Sequence, residues 1–293
     1  MREDDLRPSE NVEDRRGESG GFGGLGGGGL GIGAIVALGL LGWALGIDPR
    51  LLISGAEKVA GTRAPAHQES TGPRGAPQDQ MGQFVARVLG ETEDVWAQLL
   101  PAQAGRPYQP PVLVLFSGAT GSACGLAQSA AGPFYCPPDR KVYLDTAFFQ
   151  DMQRRLGGGG AFAYAYVIAH EVGHHVENLL GLLSRAQEAQ RAAPNQAAAN
   201  RLSVRIELMA DCLAGVWANR MNQRHQNIDE ADVRQAVATA TAIGDDRLQR
   251  HAQGTVVPDS FTHGSSEQRV HWLMTGLRSG SVQACDTFQG QPL

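Results

Sequence analysis

Two imidazoles four residues apart, with a carboxylate between them, are the residues of this chain whose types and spacing most clearly suit chemistry. They lie in AFAYAYVIAHEVGHHVENLLG as His170-Glu171-Val172-Gly173-His174. On a helix, positions i and i+4 share a face, so both rings can point at one ion. Glu171 lies about 100° round the helix from His170. It can therefore reach a water activated at that ion without being a ligand itself. Val167, Ile168, Val172, Val176 and Leu179 cover the other faces with apolar surface, which predicts a buried, rigid helix. A buried HEVGHH with nothing to satisfy it would strand several polar groups. His175 points about 100° away from His174, and it reads as a packing histidine or one that supports the site from behind.

Catalytic zinc usually takes three protein ligands plus a water, so a third ligand is needed. The search ends in RIELMADCLAGVWA, where Glu207 and Asp211 are again four apart on one helical face. Two carboxylates in an otherwise apolar helix are costly without partners. A cation satisfies Glu207. Asp211, one turn on, can accept the free ring N–H of a ligand histidine and fix its tautomer. Cys212 could bind zinc instead, but it points about 100° from Asp211 and ranks below Glu207. The expected site is one zinc per chain on His170, His174 and Glu207, with Asp211 behind them and Glu171 as general base.

Such a site needs two long helices held against each other. Helical spacing extends over residues 161–181 and 195–223, and also over 147–156, 182–191, 229–243 and 265–277. Residues 81–100 place Phe84, Val85, Val88, Leu89, Val95, Trp96 and Leu99 on a helical period. Two short runs, VLVLF after Pro110-Pro111 and KVYLD at 141–145, read as strands. The expected class is α+β, with a small early β-sheet followed mostly by helices.

The chain has 293 residues, 42% hydrophobic and 19% charged, with a formal net charge of −5. A sizeable core is expected, and a broad nucleic-acid surface, which needs a basic stripe, is not. Residues 1–18 carry eleven charges and almost nothing apolar, and residues 17–33 are mostly glycine. Together, residues 1–29 read as a charged, Gly-rich disordered tail. No charge falls between Ser19 and Ile47, and residues 30–47 read LGIGAIVALGLLGWALGI. Eighteen helical residues cover about 27 Å, enough for the hydrocarbon layer, and Trp43 sits where an interfacial ring belongs. The expectation is one transmembrane helix over 30–47. A Pro-, Gly- and Ala-rich linker then covers 48–80, and the catalytic domain covers 81–293. Lys and Arg counts flanking the span tie, so charge does not orient it.

HExxH followed by ExxxD on a later helix resembles the gluzincin metallopeptidases. The chain is more closely similar to the bacterial neutral zinc metallopeptidase family of YpfJ-like proteins. The segments that carry the resemblance are SACGLAQSAAGPFYCPPDRKVYLD, VIAHEVGHHVENLLG, RIELMADCLAGVWA, AIGDDRLQ and VPDSFTHGSSEQRVHWL. The resemblance implies a zincin-like fold, a peptide or protein substrate, and an N-terminal anchor behind a Gly-rich tail. It also implies a downstream oxyanion donor. In the THxxxxxR string, that donor is His263, with Arg269 positioning it. By analogy with zincins, the strand at 141–145 would border the cleft, with Tyr143 beside the site. The four cysteines allow three pairings. The resemblance and the spacing favour Cys124–Cys136 with Cys212–Cys285. Such bridges form in an oxidising space, which would put the catalytic domain on the periplasmic or outer side of the membrane. Two rival functions are a non-catalytic zincin-fold binding or scaffold protein and a hydrolase of non-peptide bonds. A metal kept for structure alone needs no base, so an intact Glu171 speaks against the scaffold.

Overall fold

The computed structural model describes residues 1–17, 74–75, 77–155 and 159–288. In chain order the elements are β1 (Val12–Asp14), α1 (Gln80–Ala104), β2 (Val112–Phe116), β3 (Ala119–Ser122), β4 (Gly125–Gln128), β5 (Phe134–Cys136) and β6 (Lys141–Asp145). There follow α2 (Ala147–Arg155), α3 (Ala161–Leu179), α4 (Leu182–Arg191), α5 (Gln196–His225), α6 (Glu230–Ala242), α7 (Asp245–Gln253) and α8 (Ser266–Ser279).

The sheet is small because few segments are β-rich. VLVLF is apolar on both faces, and such a run belongs inside a sheet. The strand order is β1-β2-β6-β5, with β2 parallel to both β1 and β6, and β5 antiparallel to β6. Strands β3 and β4 form a separate hairpin. Around the sheet, α1, α3, α5, α6 and α8 pack into one core that includes Trp96, Phe162, Tyr166, Val172 and Trp217. Several helix starts are capped by local side chains. Asp79 caps α1, Asn195 caps α5, and Ser265 with Gln268 forms a capping box on α8. The bridges Cys124–Cys136 and Cys212–Cys285 are both present. The second closes a separation of 73 residues, worth about 4 kcal/mol in the chain-entropy account.

The mostly helical α+β class with a small early sheet holds, but three expectations are corrected. First, no helix among the described residues is long and apolar enough to cross a membrane. The span expected over 30–47, and most of the linker over 48–80, lie outside the described residues. The described residues on either side of that stretch decide against a single crossing. Val12, Glu13 and Asp14 pair with Leu113, Val114 and Leu115, and Glu13 also bridges Arg74. One crossing would put the two sides of these pairings across a bilayer from each other. The single-pass membrane placement falls with it.

Second, residues 1–17 are an ordered part of the domain. Leu6, Ser9, Val12, Glu13 and Arg15 are buried. Several of the charges that suggested a solvated tail are paired, some with neighbours and some with residues far away in sequence. Arg7 pairs with Glu93 and Asp94, and Arg16 with Asp14 and Asp79. Glu13 pairs with Arg15 and Lys141. Third, β6 is an interior strand, with β2 on one side and β5 on the other. Tyr143 is buried, stacks on Phe134 and donates to Asp139 Oδ2 at 2.7 Å. The strand that ends the sheet and packs on α3 is β5.

Candidate metal centre

The site depends on how closely two helices approach. A Cβ on Gly173 of α3 would lie 3.0 Å from the Ala210 carbonyl oxygen and 3.1 Å from its Cα on α5. Ala210 lies between Glu207 and Asp211, so a glycine at this crossing brings both carboxylates up to the histidine face. On the far side of α5, Gly276 of α8 lies against the backbone of Cys212 with no room for a Cβ. That second close crossing carries Arg269 towards the same carboxylates.

His170, His174 and Glu207 each offer one donor atom, and these atoms all lie within 4.8 Å of one another. His170 Nε2 is 3.2 Å from Glu207 Oε2, and His174 Nε2 is 3.6 Å from Glu207 Oε1. The other ring nitrogens are held from behind. His170 Nδ1 is 2.8 Å from Asp211 Oδ1, and His174 Nδ1 is 2.8 Å from Glu177 Oε2. With each Nδ1–H donating to a carboxylate, each Nε2 lone pair faces the centre. Two imidazoles and a carboxylate, so prepared, fit a zinc ion by donor type and by tautomer.

Asp211 is a hub. Arg269 forks onto it, Nε to Oδ2 at 2.8 Å and Nη2 to Oδ1 at 2.9 Å. Tyr166 donates its hydroxyl to Oδ1 at 2.6 Å. Burial opposes the Asp211 charge, but Arg269 and His170 outweigh it and hold the carboxyl down at about 2. Burial likewise opposes a charge on His170, yet Asp211 raises that imidazole to about 9. Glu207, followed by Glu177, raises His174 in the same way. The negative field that would protonate these rings equally favours a dication in their place.

His263 lies on the loop before α8, with its side chain about half exposed (51%). The Asp245 carboxylate fixes that loop. Its Oδ2 accepts the backbone N–H groups of Thr262, His263 and Gly264 at 2.7–3.0 Å, and its Oδ1 lies 3.2 Å from His263 Nδ1. Partial loss of hydration lowers the His263 pKa, but Glu207 and then Asp245 raise it more. Arg269 makes no hydrogen bond to His263 among the described residues, and its guanidinium is committed to Asp211.

Glu171 is buried and has no hydrogen-bond partner among the described residues. His175 is a packing residue. It contacts the Tyr135 hydroxyl through Nδ1 and donates from Nε2 to the Gln109 carbonyl, and burial pushes it down to about 4. Cys212 is in a disulfide and therefore is not a metal ligand. Sequence reasoning missed Tyr166, Glu177 and Asp245. The first two lie on the stripe 166-170-174-177, so the helical period that exposed the histidines also marks them. Asp245 carries no such signal.

Two imidazoles backed by buried carboxylates, a third carboxylate from a second helix and Glu171 beside them form a donor set that could hold a metal ion. The chain belongs to the family described as “Putative neutral zinc metallopeptidase”, whose family model matches residues 1–288. It is 45% identical to “Uncharacterized protein YpfJ” of Escherichia coli K12 over 293 residues, covering 98% of this chain and 99% of that one. It is 40% identical to “Uncharacterized protein Rv2575” of Mycobacterium tuberculosis and to “Uncharacterized protein Mb2605” of Mycobacterium bovis. Each of these matches runs over 263 residues and covers 85% of both chains. No solved structure matches the chain.

Proposed function

We propose that this chain is a zinc-dependent peptidase that hydrolyses peptide bonds in peptides or proteins. The observation that carries this reading is the convergence of donor atoms from His170, His174 and Glu207 within 4.8 Å, each histidine backed by a carboxylate. Zinc, when bound there, lowers the pKa of water to about 7 and polarises the scissile carbonyl.

Glu171 takes the proton of the attacking water on its carboxylate and passes it to the leaving amine. Its lack of another hydrogen-bond partner leaves it free for that transfer. His263 presents its Nε2 N–H to the carbonyl oxygen as negative charge builds there, while Asp245 holds Nδ1 and the loop backbone. Its raised pKa favours the doubly protonated ring that such donation uses. Strand β5 has no strand partner on its outer side among the described residues. An extended substrate pairs along it through main-chain hydrogen bonds, which makes binding tolerant of sequence.

The test is zinc content and peptide-library cleavage by the full chain, wild type beside Glu171→Gln. The variant is expected to retain zinc and lose cleavage, and chelation of the wild type to abolish cleavage until zinc is restored. Undiminished cleavage by Glu171→Gln rejects the assignment of Glu171. Cleavage that survives complete removal of metal rejects the zinc peptidase.

A further inference from the structure

The two carboxylates behind the histidines are built differently. Asp211 is shared among His170, Tyr166 and both arms of the Arg269 fork, so removing it would strand a buried guanidinium and a buried phenol as well as a histidine. Glu177 is fully buried, and its one hydrogen bond among the described residues is accepted by Oε2 from His174 Nδ1. Its Oε1 is buried with no partner among the described residues. A buried carboxylate tied to one imidazole and otherwise unsatisfied is expensive for the fold. A residue kept at such a cost has its use elsewhere.

We propose that Glu177 is a positioning residue dedicated to the metal centre. It fixes His174 with the proton on Nδ1 and the Nε2 lone pair towards the ion, and so sets zinc affinity, whereas Asp211 mainly holds the fold together. This rests on the metal-centre reading above and adds a division of labour between the two carboxylates. Both lie behind a ligand histidine, but their removal has opposite consequences for the metal-free protein. A Glu177 variant loses metal affinity without losing stability. An Asp211 variant loses stability because it unpairs Arg269.

The experiment uses the purified full-length chain. Zinc dissociation constants are measured by chelator competition, and Tm is measured without metal, for wild type, Glu177→Met, Glu177→Gln, Asp211→Asn and His174→Ala. Loss of a group that orients a ligand histidine typically costs 10–100-fold in metal affinity. Glu177→Met is therefore expected to bind zinc at least fivefold more weakly with a metal-free Tm equal to or above wild type, and Asp211→Asn to show a lowered metal-free Tm. A purely structural role for Glu177 would instead lower the Tm of Glu177→Met. That result, or zinc binding within fivefold of wild type, overturns the proposal. If Glu177→Met does not fold, Glu177→Gln decides, because it keeps the volume but presents a neutral acceptor. Weakened zinc binding at unchanged metal-free Tm supports the role, and unchanged zinc binding overturns it. Equal zinc binding by wild type and His174→Ala overturns the metal-centre reading along with this one. Loss in His174→Ala without loss in the Glu177 variants overturns the role of Glu177 alone.

Discussion

Gly173 and Ala210 meet backbone to backbone, at a distance where a Cβ on the glycine would press on the Ala210 carbonyl oxygen at 3.0 Å. The pair sits between the two histidines on one helix and the two carboxylates on the other, so it gauges the width of the metal centre. Gly173→Ala sets a gain in helix propensity of up to about 1 kcal/mol against a contact that must give by tenths of an ångström, and the two nearly cancel. Gly173→Val adds bulk without that gain. It should cost about 1–3 kcal/mol in overpacking and also weaken zinc binding. Chemical denaturation and chelator competition on both variants check this. Full zinc affinity in the valine variant would break the link between helix spacing and the site.

Arg269 is buried and forks onto Asp211. Arg269→Met leaves a carboxylate uncompensated in the core and should cost about 3–5 kcal/mol. The double variant Arg269→Met/Asp211→Asn should cost much less in total than the sum of the two single changes, because the pair acts as a unit. A double-mutant cycle by denaturant unfolding reads the coupling, and strict additivity would show that the fork contributes nothing.

His263 is held by Asp245, outside the cluster of His170, His174 and Glu207. His263→Ala should lower kcat on a cleaved peptide by about 100-fold, in the range seen when one oxyanion donor is lost. Zinc content and KM should stay within about twofold, since the ring neither holds the ion nor builds the substrate edge. A change confined to KM would move His263 from the reacting bond to substrate binding.

Arg16 joins β1 to the start of α1 by pairing with Asp14 and Asp79. The hydrogen bond from Arg16 is the largest influence on Asp79 and lowers its carboxyl to about 2; Asp14 is lowered by the same partner. A carboxyl with a depressed folded-state pKa stabilises the fold above its unfolded pKa of about 3.9. That contribution is lost as pH falls towards the folded value. Asp79 is nearly half exposed, so the contribution is about 1 kcal/mol or less. The stability difference between wild type and Arg16→Gln should therefore narrow as pH falls from about 5 towards 3. Urea unfolding across that range measures it, and a difference that stays flat with pH would assign Arg16 another role.

What could be read before the fold was local and periodic. His170, His174, Glu207 and Asp211 stand four apart in two apolar helices, so the helical repeat alone paired them. Glu177 and Tyr166 share that repeat, but a glutamate and a tyrosine on an amphipathic helix are as readily solvent-facing or core residues, so their place behind the site does not show in the spacing. The role of Asp245 rests on three backbone N–H groups more than fifteen residues away, which no spacing discloses. The first seventeen residues misled for a similar reason. Arg7, Arg16 and Glu13 pair with Glu93, Asp94, Asp79 and Lys141, and partners so distant are invisible in a composition count. KVYLD was placed at an edge by analogy, although a run buried on both sides belongs inside a sheet.

The strand Val12–Asp14 and the Arg16–Asp79 pair bring the chain back to α1 at the spot where it left the sheet. The domain is therefore composed of two stretches of sequence stitched at a common seam. A protease cut between positions 18 and 73 would divide the polypeptide without separating its halves. The short N-terminal piece would stay clipped into the larger one, and the two expressed separately could reassemble.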